Sequence, residues 1–364
     1  MRYKELDGLR GIAALSVVFS HLVGAFVFNS PLFNFLSNSP FHVFWHGDGA
    51  VTLFFLLSGF VLALPYITKK KDFNIGTFYI KRVFRIYPAF ILAILFSYFL
   101  KHSLFKPLNI IDYSPWINEF WNWDFKEVPF AEYINTFILV GFSFNFKLFI
   151  PVIWTLRLEM IISLILPFFI IIALRNKLVY NLIILLILFY IRDGVIAVFY
   201  LGILMAIYLE YILNFLNRIT NKFYILILFT TGLFLYTSRF SLDFILDNQN
   251  KAHLFLTTLG CSIFLVLSMK NGVCKKILNL RPIQFLGEIS YSLYLLHFPV
   301  ILIACSFFSG NIITVFCTSL FVTILLSYLS YKFIELPFIS LGRKIVMKRF
   351  DEKFNKIIFL LNSK

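Results

Sequence analysis

The chain has 364 residues, of which 60% are hydrophobic and 14% are charged. A mean hydropathy of +0.86 excludes an ordinary soluble domain and indicates a polytopic membrane protein. The formal charge of +15 does not indicate a nucleic-acid partner, because the basic residues lie between apolar segments and at the tail, where they orient a protein in its membrane.

Ten apolar segments are long enough, or nearly long enough, to cross a hydrocarbon layer about 30 Å thick. The predicted spans are 9–28, 49–67, 86–100, 153–174, 178–191, 194–213, 222–237, 253–269, 288–307 and 312–334. With a cytoplasmic N-terminus, the loops that follow even-numbered spans carry most of the lysines and arginines. We therefore predict an all-α polytopic integral membrane protein with about ten transmembrane helices and with both termini cytoplasmic.

The stretch 101–152 is predicted to lie outside, between the third and fourth spans. Its apolar part, 133–150, carries polar residues that suit lipid contact poorly, so we expect a re-entrant or interfacial segment. Trp116, Trp121 and Trp123 favour the membrane interface over the alternative, stacking on a sugar.

The end of the chain is basic and amphipathic from Phe338 onwards. Such a segment is expected to lie on an anionic inner membrane surface. We assign residues 1–340 to the transmembrane domain and 341–364 to a basic cytoplasmic tail.

The four cysteines show neither a C-x-x-C pattern nor a metal-ligand spacing. They are Cys261, Cys274, Cys305 and Cys317. The sequence therefore predicts no disulfide framework and no metal site.

The first span places ionisable side chains at its mouth and inside it. Arg10 and His21 are eleven residues apart, which is about three turns, so they share a face roughly 16 Å apart. Ala14 and Val17 lie between them and leave a shallow track. An ionisable group inside a bilayer is unfavourable by about 2.5–3.5 kcal/mol, so His21 is a functional candidate. The alternative is a histidine that hydrogen-bonds to a neighbouring helix as a packing contact.

Six short motifs occur in order along the chain. They are LDGLRGIAA with Arg10-x10-His21, LFFLLSGF at 53–60, KRVFRIYP at 81–88, WTLRLE at 154–159, LGEISYSLYLLH at 286–297 and IELP at 334–337. Together they resemble the membrane-bound acyltransferase family 3, the integral-membrane O-acyltransferases of bacterial surface glycans and related substrates. The resemblance covers residues 3 to about 340 and implies a multi-pass acyltransferase of the bacterial cytoplasmic (inner) membrane.

The chain departs from the family pattern at Thr52, where an acidic residue is common, which leaves open whether the acceptor site is typical. We expect no esterase-type domain after the last predicted span. We expect the transfer to be completed within the membrane domain.

Arg82 and Arg85 stand three residues apart at the cytoplasmic start of the third span. Their guanidinium groups suit the phosphates of a nucleotide-bearing donor, which in this family is acyl-CoA. The alternative is that they act as positive-inside anchors. The resemblance implies acetyl-CoA as a co-substrate, with no permanently bound cofactor.

Glu159 lies roughly 8 Å below the outer surface by its position in the fourth span, and His21 reaches about 16 Å from the inner surface. The two side chains are therefore expected to meet, and the carboxylate would fix the tautomer of the imidazole. Arg10 would steer the donor or stabilise negative charge that develops on it. The alternative for Glu159 is an ion pair with a neighbouring span.

Further residues of the motifs are candidates for supporting roles: Asp7, Trp154, Tyr291, His297 and Glu335. His297 is interpreted as a polar contact between helices rather than a second catalytic group. Glu335 is interpreted as a partner of the basic inner loops. A separate group, His42, His46 and Asp48, is interpreted as part of a solvated loop rather than an acceptor contact.

The combined hypothesis is an integral-membrane O-acyltransferase. Acyl-CoA would dock from the cytoplasm, its pantetheine arm would follow the Arg10 stripe to His21, and the acceptor, a hydroxyl of a cell-surface polysaccharide or lipid-linked glycan, would come from outside. His21 would act as general base or would carry the acyl group transiently. The alternative is a transporter in which Arg10, His21 and Glu159 line a substrate or proton path, although the sequence shows no inverted repeat.

Overall fold

The computed structural model describes residues 3–68, 74–108, 113–121, 128–139, 149–191, 194–242, 250–270, 272–308 and 310–348, and every regular element within these ranges is a helix. The α-helices are α1 (Lys4–Gly24), α2 (Pro31–Ser37), α3 (Gly47–Thr68), α4 (Ile75–Ser103), α5 (Phe130–Phe137), α6 (Ile153–Arg175), α7 (Leu178–Tyr190), α8 (Val195–Ile207), α9 (Leu209–Arg218), α10 (Lys222–Tyr236), α11 (Ser238–Ser241), α12 (Asn250–Met269), α13 (Val273–Leu278), α14 (Arg281–Phe307) and α15 (Ile312–Ser330). Short 3₁₀ turns lie at Pro40–Trp45 and Ile117–Glu119.

Each of the ten predicted spans coincides with a helix or with the bent pair α8–α9. Within the described ranges, seven helices are long and apolar enough to cross a membrane, and the pair α8–α9, bent by 70°, raises the number to eight at most. Helices α7 and α10 have only 13 and 15 residues. The protein is therefore an all-helical multi-pass membrane protein, while the count of ten and the side on which the termini lie stay predictions.

Helices α1 and α14 form the central pair and run parallel. Gly11 of α1 faces Gly287 of α14, and a Cβ atom added to Gly11 would lie 2.4 Å from the backbone nitrogen of Gly287. A Cβ atom on Gly287 would lie 2.3 Å from the carbonyl oxygen of Asp7. The two backbones are therefore in direct contact, as small residues allow between transmembrane helices.

Helix α15 continues through a π-helical turn, Tyr331–Glu335, into a helix that ends at Lys348. The extension packs on the bundle, since Val346 is buried and Gly342 lies against Phe84. The predicted tail 341–364 falls partly on residues outside the described ranges, so the domain boundary at 340 stays a prediction.

The predicted segment 133–150 is also only partly described. Helix α5 covers its beginning, and residues 140–148 lie outside the described ranges, as does Trp123. The prediction that Trp121 lies at the membrane interface is wrong. Its side chain is buried, and its indole N–H donates to the carbonyl of Phe149 at 3.1 Å.

Candidate active site

A cavity of about 730 Å³ lies beside the first half of α1, where helices α1, α3, α4, α6, α14 and α15 meet. We call the part of the bundle at which α1 and α14 begin the cavity end. The cavity brings together most of the predicted site residues: Asp7, Arg10, Arg82, Arg85, Glu159, Tyr291 and Glu335. Trp154 is not among its described lining residues and is exposed.

Arg82 and Glu159 form an ion pair in the wall of this cavity. The Arg82 Nη2 atom lies 2.6 Å from Glu159 Oε1, and the same guanidinium donates to Ser163 Oγ at 2.8 and 3.1 Å. Ser58 donates to Glu159 Oε1 at 3.5 Å. Arg82 is buried, and its charge is compensated by Glu159 inside the protein. The ion pair joins α4 to α6.

The predicted contact between Glu159 and His21 is therefore wrong. One turn before Glu159, the Thr155 hydroxyl already contacts the Tyr294 hydroxyl at 2.7 Å, and His297, the α14 residue that contacts His21, comes three residues after Tyr294. Glu159 and His297 are therefore separated by about 10 Å along the helix axes. The depths estimated from the sequence put Glu159 and His21 in the same layer of the membrane, but Glu159 forms its ion pair with Arg82.

Four further cationic side chains line the cavity: Arg10, Lys81, Arg85 and Arg343. Neither Arg10 nor Arg85 forms a salt bridge with a described residue, and Arg85 is exposed. Guanidinium groups that line a cavity without a direct salt bridge to a described carboxylate suit an anionic ligand.

Glu335 lines the same cavity but contacts α14 rather than the basic loops, which corrects the prediction for it. Its carboxylate accepts hydrogen bonds from the backbone N–H and the hydroxyl of Ser292. It stands in the π-helical turn of α15, a feature found frequently at functional sites. Tyr291 also lines the cavity, and its hydroxyl donates to the Ile86 carbonyl at 2.8 Å.

Tyr294 and Thr155 are the residues at which the cavity ends. Both line it, and Phe54 packs edge-on against the Tyr294 ring with centroids 5.7 Å apart. The Thr155 hydroxyl donates to the Val152 carbonyl at 2.8 Å, so the Tyr294 hydroxyl is the donor in their mutual hydrogen bond. The sequence analysis did not select either residue, because a tyrosine and a threonine inside an apolar span are neutral near pH 7 and resemble ordinary packing contacts.

Beyond Tyr294, at the opposite end of the α1–α14 pair, His21 and His297 lie in contact; we call this part the histidine end. His21 Nδ1 is 2.7 Å from His297 Nε2, and the two ring planes lie within 13° of each other with centroids 4.9 Å apart, which is an edge-to-edge contact. Trp116 stacks on His21 at 5.4 Å, and Phe298 packs edge-on against it at 5.3 Å. His297 is fully buried and His21 is half-buried. His297 is thus an inter-helix contact, as predicted, and its partner is the leading catalytic candidate.

A signal for this pairing is present in the sequence. Gly11 precedes His21 by ten residues, and Gly287 precedes His297 by the same number. Because the two parallel helices are in contact at these glycines, the two histidines lie at the same height along the helix pair. The spacing is visible in the chain, but its meaning depends on knowing that the helices are paired.

The track predicted along the Arg10 face is not open. Ala14 and Val17 are 0% and 2% exposed and pack into the core. The described lining of the cavity includes neither His21 nor His297. Tyr294, which lines the cavity, is also the residue next to the histidine pair, since its ring centroid lies 6.1 Å from that of His297.

His42 and His46 are buried at the histidine end, so the prediction of a solvated loop is wrong for both. His42 stacks on Phe240 with ring centroids 3.4 Å apart and hydrogen-bonds through Nδ1 to the Ser37 carbonyl at 2.8 Å. Burial lowers the pKa of His42 to about 4 and that of His46 to about 3. Asp48 pairs with Arg239 on the surface.

Metal-ligating side chains do not converge in the part of the chain that the structure covers: no group of three His, Cys, Asp or Glu residues there could hold an ion.

Comparisons with known proteins give one family model and several curated relatives. The acyltransferase-domain family model matches residues 3–332. The O-acetyltransferase OatA of Staphylococcus aureus is 25% identical over 93% of this chain, and the chain spans 57% of OatA. The acyltransferase MdmB of Streptomyces mycarofaciens is 35% identical over 29% of this chain and 26% of its own length. Protein 2 in the picA locus of Rhizobium radiobacter is 39% identical over 26% of this chain and 42% of its own length. No solved structure matches.

Proposed function

From the premise that this chain belongs to the acyltransferase family whose domain model matches it from residue 3 to residue 332, we propose that it transfers an acetyl group from cytoplasmic acetyl-CoA to a hydroxyl of a cell-surface polysaccharide or lipid-linked glycan. The proposed location is the bacterial cytoplasmic membrane. The observation that carries the proposal is a cavity lined by five cations, of which only Arg82 forms a salt bridge with a described residue, that ends one helical turn from a contacting pair of imidazoles.

The donor end of the reaction is assigned to the cavity end. Its volume of about 730 Å³ lies in the usual range for a small-molecule site, roughly 300–1,000 Å³. The phosphates of coenzyme A would contact Arg85, Lys81 and Arg343, because these cations line the cavity. Arg82 is already compensated by Glu159 and would instead hold α4 in place. Acetyl-CoA is a co-substrate in this scheme, not a resident cofactor.

Arg10 is assigned to the middle of the donor path. It is half-buried, lines the cavity and has no salt-bridge partner among the described residues. Its guanidinium would hold the donor by charge and direct the pantetheine arm towards Tyr294. For the thioester to reach His21, the Tyr294 ring must move, which breaks one hydrogen bond to Thr155.

At the histidine end, His21 would accept the proton of the acceptor hydroxyl. The acceptor oxygen forms a bond to the thioester carbonyl carbon, the carbon–sulfur bond breaks, and the proton passes from His21 to the leaving thiolate. If the acyl group is first carried by His21, the same atoms balance in two steps.

The test uses the purified full chain with acetyl-CoA and lipid-linked glycan extracted from the host membrane. We expect free thiol to appear only when the glycan is present, His21→Ala to lower its rate by at least about 100-fold, and the exposed-residue control His102→Ala to leave it unchanged. Arg85→Ala and Arg343→Ala should raise the KM for acetyl-CoA. A transporter would release no thiol, and this result would overturn the proposal.

The companion measurement in cells compares ester-linked acyl groups in envelope glycans by proton NMR. A strain that carries the wild-type chain is compared with a deletion strain and with a strain that carries His21→Ala. Ester signals should be lost in the last two. An unchanged ester content in the deletion strain contradicts the proposed acceptor class.

A further inference from the structure

We propose that His297 is the positioning residue that fixes the proton of His21, so that His21 Nε2 carries the lone pair used in the reaction. This role rests on the proposed function of His21 as a base and replaces the role predicted for Glu159. It follows from the hydrogen bonds of the two rings.

The buried ring of the pair is held from its own helix. His297 Nδ1 lies 3.1 Å from the Leu293 carbonyl oxygen, one turn earlier in α14. A carbonyl oxygen only accepts, so Nδ1 of His297 must carry a hydrogen. A neutral imidazole has one N–H, and Nε2 of His297 is therefore the nitrogen with the lone pair.

The contact between the rings then has one direction. His297 Nε2 accepts, so His21 Nδ1 donates across their 2.7 Å separation. The remaining nitrogen of the pair, His21 Nε2, is left with a lone pair and has no hydrogen-bond partner among the described residues. His21 is also the half-buried member, whereas His297 is fully buried. The available basic atom thus belongs to the ring that ligands can approach.

The neutral pair is the favoured state at rest. None of the described carboxylates contacts either ring, since Glu159 is bound to Arg82 and Glu335 to Ser292. An uncompensated imidazolium buried among aromatic rings is strongly unfavourable. When His21 Nε2 takes the acceptor proton, the charge is transient, and the lone pair of His297 stabilises it through the existing hydrogen bond.

The orientation of His21 is fixed at the same time. The Trp116 ring lies nearly parallel to the His21 ring at 5.4 Å, Phe298 packs edge-on against it at 5.3 Å, and the hydrogen bond to His297 holds Nδ1. A ring that is clamped in this way keeps Nε2 in one direction. His297 therefore supplies both the tautomer and the alignment that a carboxylate supplies in a Ser-His-Asp triad.

The experiment compares His297→Leu with His297→Gln in the purified full chain. Gln places an amide oxygen near the position of Nε2 and can accept from His21 Nδ1, whereas Leu cannot. We expect His297→Leu to lower kcat about 100-fold with the KM for acetyl-CoA unchanged. The kcat of His297→Gln should be at least about tenfold higher than that of His297→Leu. In the His21→Ala background, His297→Leu should cause no further loss, because His297 acts through His21.

Two results overturn the inference: a wild-type kcat in His297→Leu, or a Gln variant that folds but is no more active than Leu. Thermal unfolding of each variant separates loss of structure from loss of function, and His297→Asn, whose amide oxygen lies near Nδ1 instead, is the matched variant that should not rescue. The proposed function fails separately, when wild-type protein releases no thiol or when His21→Ala is fully active.

Discussion

At the cavity end of the α1–α14 pair, ionic side chains line an open volume, whereas at the histidine end imidazoles are packed between aromatic rings. The first region holds five cations and several carboxylates around about 730 Å³. The second holds His21, His297, His42 and His46 in contact with Trp116, Phe298 and Phe240. Both regions lie along the same two helices.

Desolvation explains the division. A charged group is tolerated where it meets an opposite charge or an open cavity, and a buried charge without either is strongly unfavourable. Imidazole can be buried because it has a neutral form that is still able to donate and accept. A donor with a charged nucleotide and an uncharged acyl end matches this arrangement, with its phosphates at the cavity end and its reacting carbon towards the histidine end.

The largest expected effect comes from separating the two helices that join these regions. In Gly11→Ala the new Cβ atom would lie 2.4 Å from the Gly287 nitrogen and 2.7 Å from the Leu286 carbonyl carbon. Both are backbone atoms, so α1 and α14 must move apart, at a destabilisation of about 3 kcal/mol or more. Thermal unfolding in detergent measures it, and both ends should lose function together.

The matched control is Gly272→Ala, because no atom lies within 4 Å of a Cβ atom added there. It should unfold like the wild type. If Gly11→Ala also unfolds like the wild type, the parallel glycine contact is not what aligns the two ends.

The second prediction distinguishes Arg82 from Arg85, for which the sequence predicts the same role. Arg82→Ala leaves the Glu159 carboxylate and the Ser163 hydroxyl without their partner in the cavity wall, which should lower stability by about 2–3 kcal/mol. Arg85→Ala removes an exposed cation and should change stability by less than about 0.5 kcal/mol while raising the KM for acetyl-CoA about tenfold.

Unfolding curves and donor kinetics of the two variants check this division. The double variant Arg82→Ala/Glu159→Ala should recover part of the stability, because no uncompensated carboxylate remains. Equal effects of both single variants on both measurements would show that the two arginines act as one site.

A smaller effect concerns the boundary between the two regions. Tyr294→Val removes the ring that closes the cavity and its hydrogen bond to Thr155. Longer acyl chains should then be accepted, so the ratio of hexanoyl-CoA to acetyl-CoA turnover should rise about tenfold. Tyr294→Phe keeps the ring and should keep the preference for acetyl. A selectivity in Tyr294→Val that matches the wild type would show that Tyr294 does not limit chain length.

Much of the fold could be predicted from the sequence because hydropathy and helix length are local properties. All ten apolar segments are helical, and the cavity gathers seven of the ten residues predicted for the site. The partners within the site could not be predicted in the same way. Depth in the membrane can be estimated from position in a span, but the face on which a side chain meets its neighbour depends on which helices pack together.

Glu159 illustrates this limit. Its depth was compatible with His21, yet Arg82 from a third helix lies closer and is ionic. His297, which does contact His21, is separated from it by 276 residues. Only the shared ten-residue interval from glycine to histidine in α1 and α14 links the two in the sequence.

The effect that is smallest at neutral pH, and grows only in acid, tests whether the histidine end is kept neutral outside the spans as well. Burial lowers the pKa of His42 to about 4 and that of His46 to about 3, whereas an unfolded histidine has a pKa of about 6.5. Above pH 7 both states are neutral and the two residues contribute no pH dependence. As the pH falls from about 6.5 to 4, the unfolded state binds protons that the folded state does not, so stability falls with falling pH.

We expect the apparent melting temperature to fall by a few degrees between pH 7 and pH 5. In the double variant His42→Asn/His46→Asn this slope should become shallower, even if the melting temperature at pH 7 is lower, because amides do not titrate. His102→Ala changes an exposed histidine and should retain the slope. If the double variant keeps the wild-type slope, the acid sensitivity belongs to other groups, and neutrality at this end is confined to the rings that pack around His21.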